Sequence, residues 1–201
     1  MSQYNGRKIE SHHENPLDDH LINMCDMLVG SCKHHSITPN MITIYRIILS
    51  IFVIYDLFFT CNIAMPIIGT AVFYFLDCLD GYLARATDQI TVLGDILDHV
   101  GDVSFFISFI VFLVVKQYDN KIFIIGGLVI LTTMMMLHFG LQQKLYVINN
   151  PDRVEGEEVL DKINHFHNVH HDHIHWTRYF GCGTLYLYIL ICIYYVQSNC
   201  K

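Results

Sequence analysis

The sequence predicts an all-α, polytopic membrane helix bundle, with about five transmembrane helices behind an N-terminal amphipathic interfacial helix. Three observations carry this. Apolar residues make up 53% of the 201-residue chain and charged residues only 15%, against about 25% charged in a typical soluble domain. Five apolar stretches approach the roughly 20 residues that a bilayer-crossing helix needs. No stretch alternates polar and apolar residues with the period of a strand, and no 20–50-residue repeat stands out. The formal net charge of −7 argues against a nucleic-acid partner, because phosphate backbones are held by excess Lys and Arg.

Residues 1–38 form a polar arm. Within it, residues 16–30 (PLDDHLINMCDMLVG) place Leu17, Leu21, Met24, Cys25 and Leu28 at spacings of three and four. That spacing makes one apolar helix face, expected to lie along the membrane surface. Thr38-Pro39-Asn40 reads as a helix start, with Thr38 as cap and Pro39 at the first helical position. The expected spans are residues 41–60, 62–85, 93–115, 121–141 and 184–196, the last extended backwards toward Arg178. The organisation expected is a cytoplasmic arm (1–38), a catalytic transmembrane core (39–147), a polar His-rich cytoplasmic loop (148–177) and a C-terminal transmembrane helix (178–201).

The polar N-terminus has no apolar segment of signal-peptide type, so the first span is expected to act as the membrane signal. With the N-terminus inside, Arg7, Lys8, Lys33, Arg85, Lys144, Arg153, Lys162 and Arg178 are cytoplasmic, and Lys116, Lys121 and Lys201 are outside. This excess of inner positive charge sets the orientation. The junction between the second and third spans then faces the cytoplasm. Seven scattered cysteines without CxxC spacing predict small buried helix residues rather than a disulfide framework.

The second-to-third junction concentrates the chemistry. Residues 77–102 read DCLDGYLARATDQITVLGDILDHVGD. Asp77 and Asp80 are three apart and share a helix face with Gly81 and Ala84; Asp98 and Asp102 are four apart and share one with Gly94. Folding the segment about Asp88–Gln89 sets Asp77 opposite Asp102, Gly81 opposite Asp98 and Arg85 opposite Gly94. All four acids then lie about 13–19 Å from the turn, at one depth near the inner membrane boundary. The glycines let the two backbones approach or leave room for a ligand. Four carboxylates at a low-dielectric boundary need more compensation than one Arg provides. All-oxygen ligands select Mg²⁺, Mn²⁺ or Ca²⁺ over Zn²⁺, and four negative charges match two dications, which can clamp both sides of a phosphoryl displacement.

The pattern Asp77-x2-Asp80-Gly81-x2-Ala84-Arg85-x8-Gly94-x3-Asp98-x3-Asp102 resembles the signature of the CDP-alcohol phosphotransferase family. The upstream TPNMITIYR (38–46) is similar to the start of that family's first membrane helix. His99, after the third Asp, is similar to the eukaryotic choline/ethanolamine branch. The resemblance implies a membrane enzyme that transfers a substituted phosphoryl group, such as phosphatidyl, from a CDP-alcohol to an alcohol acceptor and releases CMP. It implies two Mg²⁺ or Mn²⁺ ions on Asp77, Asp80, Asp98 and Asp102, with Asp102 also taking the proton of the attacking hydroxyl. Gly81, Ala84 and Arg85 would line the nucleotide pocket, together with Gly94. Membrane lipids and a CDP-linked lipid or CDP-alcohol are the implied partners, and a homodimer is expected because homodimers occur in the family. The family core usually has six spans where five are counted here, and Thr87-Asp88 replaces basic residues that often follow the Arg.

Other residues have more than one reading. Asn40 and Thr43 serve either the nucleotide or helix capping and packing. Arg46, one turn inside the first span, either reaches out to the interface or meets an anionic phosphate. Asp95 and His99 lie beside the acids at other helix angles and are expected to support them or meet head groups. His138 and Met134–Met136 are expected to pack in the core or against lipid. The histidine run HFHNVHHDHIH (165–175) fits one HxxHH box of di-iron membrane oxidoreductases, which need several; as alternatives it is a solvated or pH-responsive loop. A divalent-cation carrier using the acid cluster is the main rival to an enzyme.

Overall fold

The computed structural model describes residues 6–149 and 174–200. Among these the chain is helical, with α1 (Pro16–His34), α2 (Pro39–Phe59), α3 (Ala64–Ala86), α4 (Val92–Val115), α5 (Lys121–Asn149) and α6 (Cys182–Ser198). Two short turns, Ile174–Thr177 and Arg178–Phe180, lead into α6. Five helical stretches are long and apolar enough to cross a membrane, the last counted from Ile174 to Ser198.

The helix starts follow local chemistry. The Asn15 side chain accepts from the Leu17 N–H ahead of Pro16, Thr38 accepts from Met41 N–H ahead of Pro39, and Thr91 accepts from Gly94 N–H. Each side chain satisfies an N–H that the first turn leaves without a partner. Asn15 also donates to the Arg178 carbonyl (2.7 Å) and to Thr184 Oγ1 (2.9 Å), which ties the start of α1 to the start of α6.

α2 packs along both α3 and α4, whereas α3 and α4 make few direct backbone contacts. Of the two readings of Gly81 and Gly94, close backbones or room for a ligand, the second fits, since α2 packs along both helices and the glycines line a cavity. The core is aromatic: Phe73 stacks on Phe105 at 4.5 Å, and Phe109, Phe112, Leu57 and Ile193 are fully buried around them. Away from this core, Ile44, Ile48, Ile51, Phe52, Tyr55 and Phe59 stay exposed along one side of α2, and Val103, Ile107, Val111 and Val114 along α4. Exposed apolar stripes of this kind suit hydrocarbon, where each backbone polar group is already satisfied within its helix. On α1, Cys25 is buried while Leu17, Met24, Met27 and Leu28 are exposed.

Cys61, between α2 and α3, is disulfide-bonded to Cys200 after α6, with Cα atoms 5.6 Å apart. This corrects the expectation of unbridged cysteines for these two. Cys25, Cys32 and Cys192 are buried free thiols as expected, and Cys78 and Cys182 are partly buried ones. The 139-residue separation hid the pairing, because only the packing of α6 between α3 and α5 brings the two ends together. Alkylation of denatured protein should label five thiols before reduction and seven after it; seven in both would contradict the bridge.

Candidate functional site

The site is assembled around Arg46, in the second turn of α2 and fully shielded from solvent. Its Nη1 donates to Asp77 and, at 2.7 Å, to Asp102. Its Nη2 donates to the Asp98 carboxylate at 2.7 Å, and Nε lies 3.8 Å from Asp80 Oδ2. One guanidinium thus touches acids from two helices. Its planar fork allows this where a single ammonium would not. The Phe73 ring, 4.9 Å from Cζ, supports it from the core. Gly101 makes room: a Cβ there would press on Ile47 (3.2 Å) and Arg46 Nη2 (3.4 Å). Arg46 therefore neither extends to the interface nor lines the cavity described below; its partners are the acids themselves.

Asp77, Asp98 and Asp102 each present an oxygen within 4.8 Å of the others. Asp80 is the most buried of the four and accepts from Thr43 Oγ1 at 2.8 Å. Four carboxylates against one guanidinium leave three negative charges when all four are ionised. An all-oxygen donor set of this charge suits hard dications and can hold a metal ion.

A cavity of about 360 Å³ opens on the acids. Asn40, Thr43, Gly81, Ala84, Arg85 and Gly94 all line it, as do Asp95 and His99. Gly81 and Gly94 do not bring α3 and α4 together. Gly81 lies beside the Arg85 guanidinium (3.3 Å from a built Cβ), and a Cβ on Gly94 would meet Asn40 Oδ1 at 2.6 Å. The Arg85 Nε donates to the Gly6 carbonyl at 2.8 Å, so the N-terminal arm holds this side chain. His99 Nδ1 lies 2.8 Å from the Asp95 carbonyl of its own helix.

The cavity wall also contains residues that sequence reasoning passed over. Glu14 is buried and accepts from Gln142 Nε2 at 3.0 Å. The same Gln142 nitrogen lies 3.2 Å from His138 Nε2, whose Nδ1 lies 3.2 Å from Thr177 Oγ1. Asp18 accepts from the Tyr74 hydroxyl, one turn before Asp77. The available signals were Glu14 directly ahead of the Asn15-Pro16 helix start and the Gln142-Gln143 pair inside an apolar helix. Desolvation pushes Glu14 up to about 7 and Asp18 up to about 6. Of the histidine run, residues 165–173 lie outside the described residues.

The sequence profile described as CDP-alcohol phosphatidyltransferase matches residues 36–196 of the chain. The chain belongs to this family. No curated protein and no solved structure matches it significantly. Family membership makes it a membrane transferase of CDP-alcohol phosphatidyl groups, within phospholipid synthesis, and the family works with a divalent metal. The matched segment covers α2 to α6 and omits α1 and the arm that holds Arg85.

Two outcomes follow from this geometry. Replacing one partner of a buried ion cluster strands the others, at about 3–5 kcal/mol. Arg46→Gln should therefore lower the melting temperature of the detergent-solubilised protein, and an unchanged melt would refute the role of Arg46 in holding the acids. The second concerns pH. Glu14 binds its proton more tightly folded than unfolded, where its ordinary value is 4.5. Glu14 then contributes most to the folded state below pH 4.5, and that contribution is lost as pH rises toward about 7. The loss is on the order of 3 kcal/mol. Asp18 adds to it in the same direction. Thermal melts between these pH values should show the decline, reduced in Glu14→Gln; equal slopes in both proteins would contradict it.

Proposed function

We propose that this chain transfers a phosphatidyl group from CDP-diacylglycerol to a small polar alcohol and releases CMP. The observation that supports it most is the placement of four signature acids on one cavity whose wall also carries Gly81, Ala84 and Arg85. In this reading Asp77, Asp80, Asp98 and Asp102 hold two Mg²⁺ or Mn²⁺ ions, which neutralise the diphosphate and the departing CMP when bound. Arg85 offers paired N–H donors to a phosphate. Asn40 and Gly94 border the nucleotide, and Thr43 orients Asp80. Arg46 is a positioning residue, since it touches the acids rather than the cavity.

Asp102 accepts the proton of the acceptor hydroxyl as that oxygen bonds to the lipid-bearing phosphorus. The bond from phosphorus to the CMP oxygen breaks in the same exchange. A carboxylate on the cavity wall, 44% exposed and already fixed by Arg46, suits this role. The preference for a small polar acceptor rests on Glu14 and Gln142, which give the wall polar groups beyond the acids. CDP-choline or CDP-ethanolamine with diacylglycerol is the second form of the same reaction. The acids lie toward one end of the spans, with α3 closing nine residues after Asp77 and α4 opening six before Asp98. That position suits an enzyme at the membrane boundary better than a carrier at its centre.

In this reading the acid-bearing end faces the cytoplasm. The excess of Lys and Arg on that side supports it, and so does the Cys61–Cys200 bridge at the opposite end of the bundle, because disulfides persist in oxidising compartments.

Purified protein should release CMP from one CDP-alcohol only with Mg²⁺ or Mn²⁺ and only with the matching acceptor. Asp102→Asn should lower turnover by about 10²–10⁴-fold while CDP binding persists. Unchanged turnover in that variant would refute the assigned base, and no CMP from any CDP-alcohol would refute the reaction.

A further inference from the structure

A second group of metal-ligating side chains lies outside the acid cluster. The turn Ser11–His13 on the N-terminal arm places His12 and His13 side by side, ring centroids 3.9 Å apart. The turn Ile174–Thr177 brings His175 to them across the chain, its ring 4.9 Å from that of His13 and 6.1 Å from that of His12. Glu10 Oε2 lies 3.1 Å from His12 Nδ1. One ligand atom each from Glu10, His12 and His13 falls within 4.8 Å of the other two. The His13 Nδ1 is buried and has no hydrogen-bond partner among the described residues. A buried polar nitrogen without a partner is costly, and a bound cation offsets that cost.

The backbone around the group is held in place. Arg178 donates to the His12 carbonyl, and Asn15 donates to the Arg178 carbonyl at 2.7 Å. Both segments are thus fixed against each other by contacts that do not use the imidazoles. Three imidazoles and one carboxylate supply the four ligands of a tetrahedral Zn²⁺ site. At bond lengths near 2.0–2.1 Å such ligands stand about 3.3 Å apart, close to the Glu10–His12 separation. His175 stands outside the three residues whose ligand atoms already lie within 4.8 Å, and joins them through its ring contact with His13. Nitrogen-rich donors also separate this group chemically from the four aspartates, whose oxygens select harder ions.

We propose that Glu10, His12, His13 and His175 bind one ion of the Zn²⁺ class and clasp the N-terminal arm to the start of the last span. The same arm carries the Gly6 carbonyl that holds Arg85 and the Glu14 carboxyl on the cavity wall. The ion therefore steadies two groups of the cavity from outside it.

The test uses the full chain, purified in detergent without a polyhistidine tag, stripped of metal and kept in excess Mg²⁺ to occupy the acids. Titration with Co²⁺ should give one equivalent with the intense visible bands of a tetrahedral nitrogen-ligated ion, and Zn²⁺ should displace it. Changing the other histidines of the run together (H165Q, H167Q, H170Q, H171Q, H173Q) should leave this equivalent in place. H12Q with H13Q should remove it. His175→Gln alone should weaken it, and that single variant decides the matter if the double variant does not fold. Bands that persist in both His12/His13 and His175 variants would overturn the proposal. So would bands that vanish with the five-histidine change, since the ion would then belong to the histidine-rich segment.

Discussion

One buried guanidinium against four carboxylates is the contact on which the rest of this structure depends. Arg46 is fully buried, and a charge in that position is tolerated only when it is paired. Its partners are themselves costly in a low-dielectric setting, so neither side is stable there alone. The arrangement fixes the rotation of α2, because only one face of that helix carries Arg46 and Thr43 toward the acids. It also sets α3 and α4 against α2, since Asp77 and Asp80 come from one and Asp98 and Asp102 from the other.

The consequence is a gap where a tight hairpin would have none. With α2 packed along both acid-bearing helices, the acids are held together by a side chain rather than by adjacent backbones. The space that remains is the cavity, with the glycines of the signature on its wall. With all four acids ionised the charge balance is negative by three, which the proposed reaction meets with dications. Stacked Phe73 and Phe105 close the cluster on the core side, and the arm with Glu14 and Gly6 borders it on the other. Chemistry and packing are therefore carried by the same few residues, with Gly101 leaving room beside Ile47 and Arg46.

Much of this was legible in the residue order. The five spans follow from runs of apolar residues, and helical periodicity alone puts Asp77 with Asp80 and Asp98 with Asp102. The cap at Thr38 and the start at Pro39 are local and stand where the residue order puts them. What periodicity cannot supply is which helix lies beside which. The place of α2 between α3 and α4 is a packing result, and so the partners of Arg46 were not visible from its position in the first span. Glu14 and Gln142 meet across 128 residues, and Cys61 and Cys200 across 139. No local pattern encodes either pairing. Gly101 differs from the signature glycines in standing beside an arginine from another helix, which again requires the tertiary fold.

In the proposed reaction the four aspartates share divalent ions at a single nucleotide-binding centre. Electron paramagnetic resonance of Mn²⁺ bound to the purified protein with CDP tests it most directly. Two Mn²⁺ per chain with the spectrum of a magnetically coupled pair are expected, reduced to uncoupled binding in Asp98→Asn. Isolated, uncoupled Mn²⁺ in the unaltered protein, or a coupled pair that survives the loss of Asp98, would contradict it.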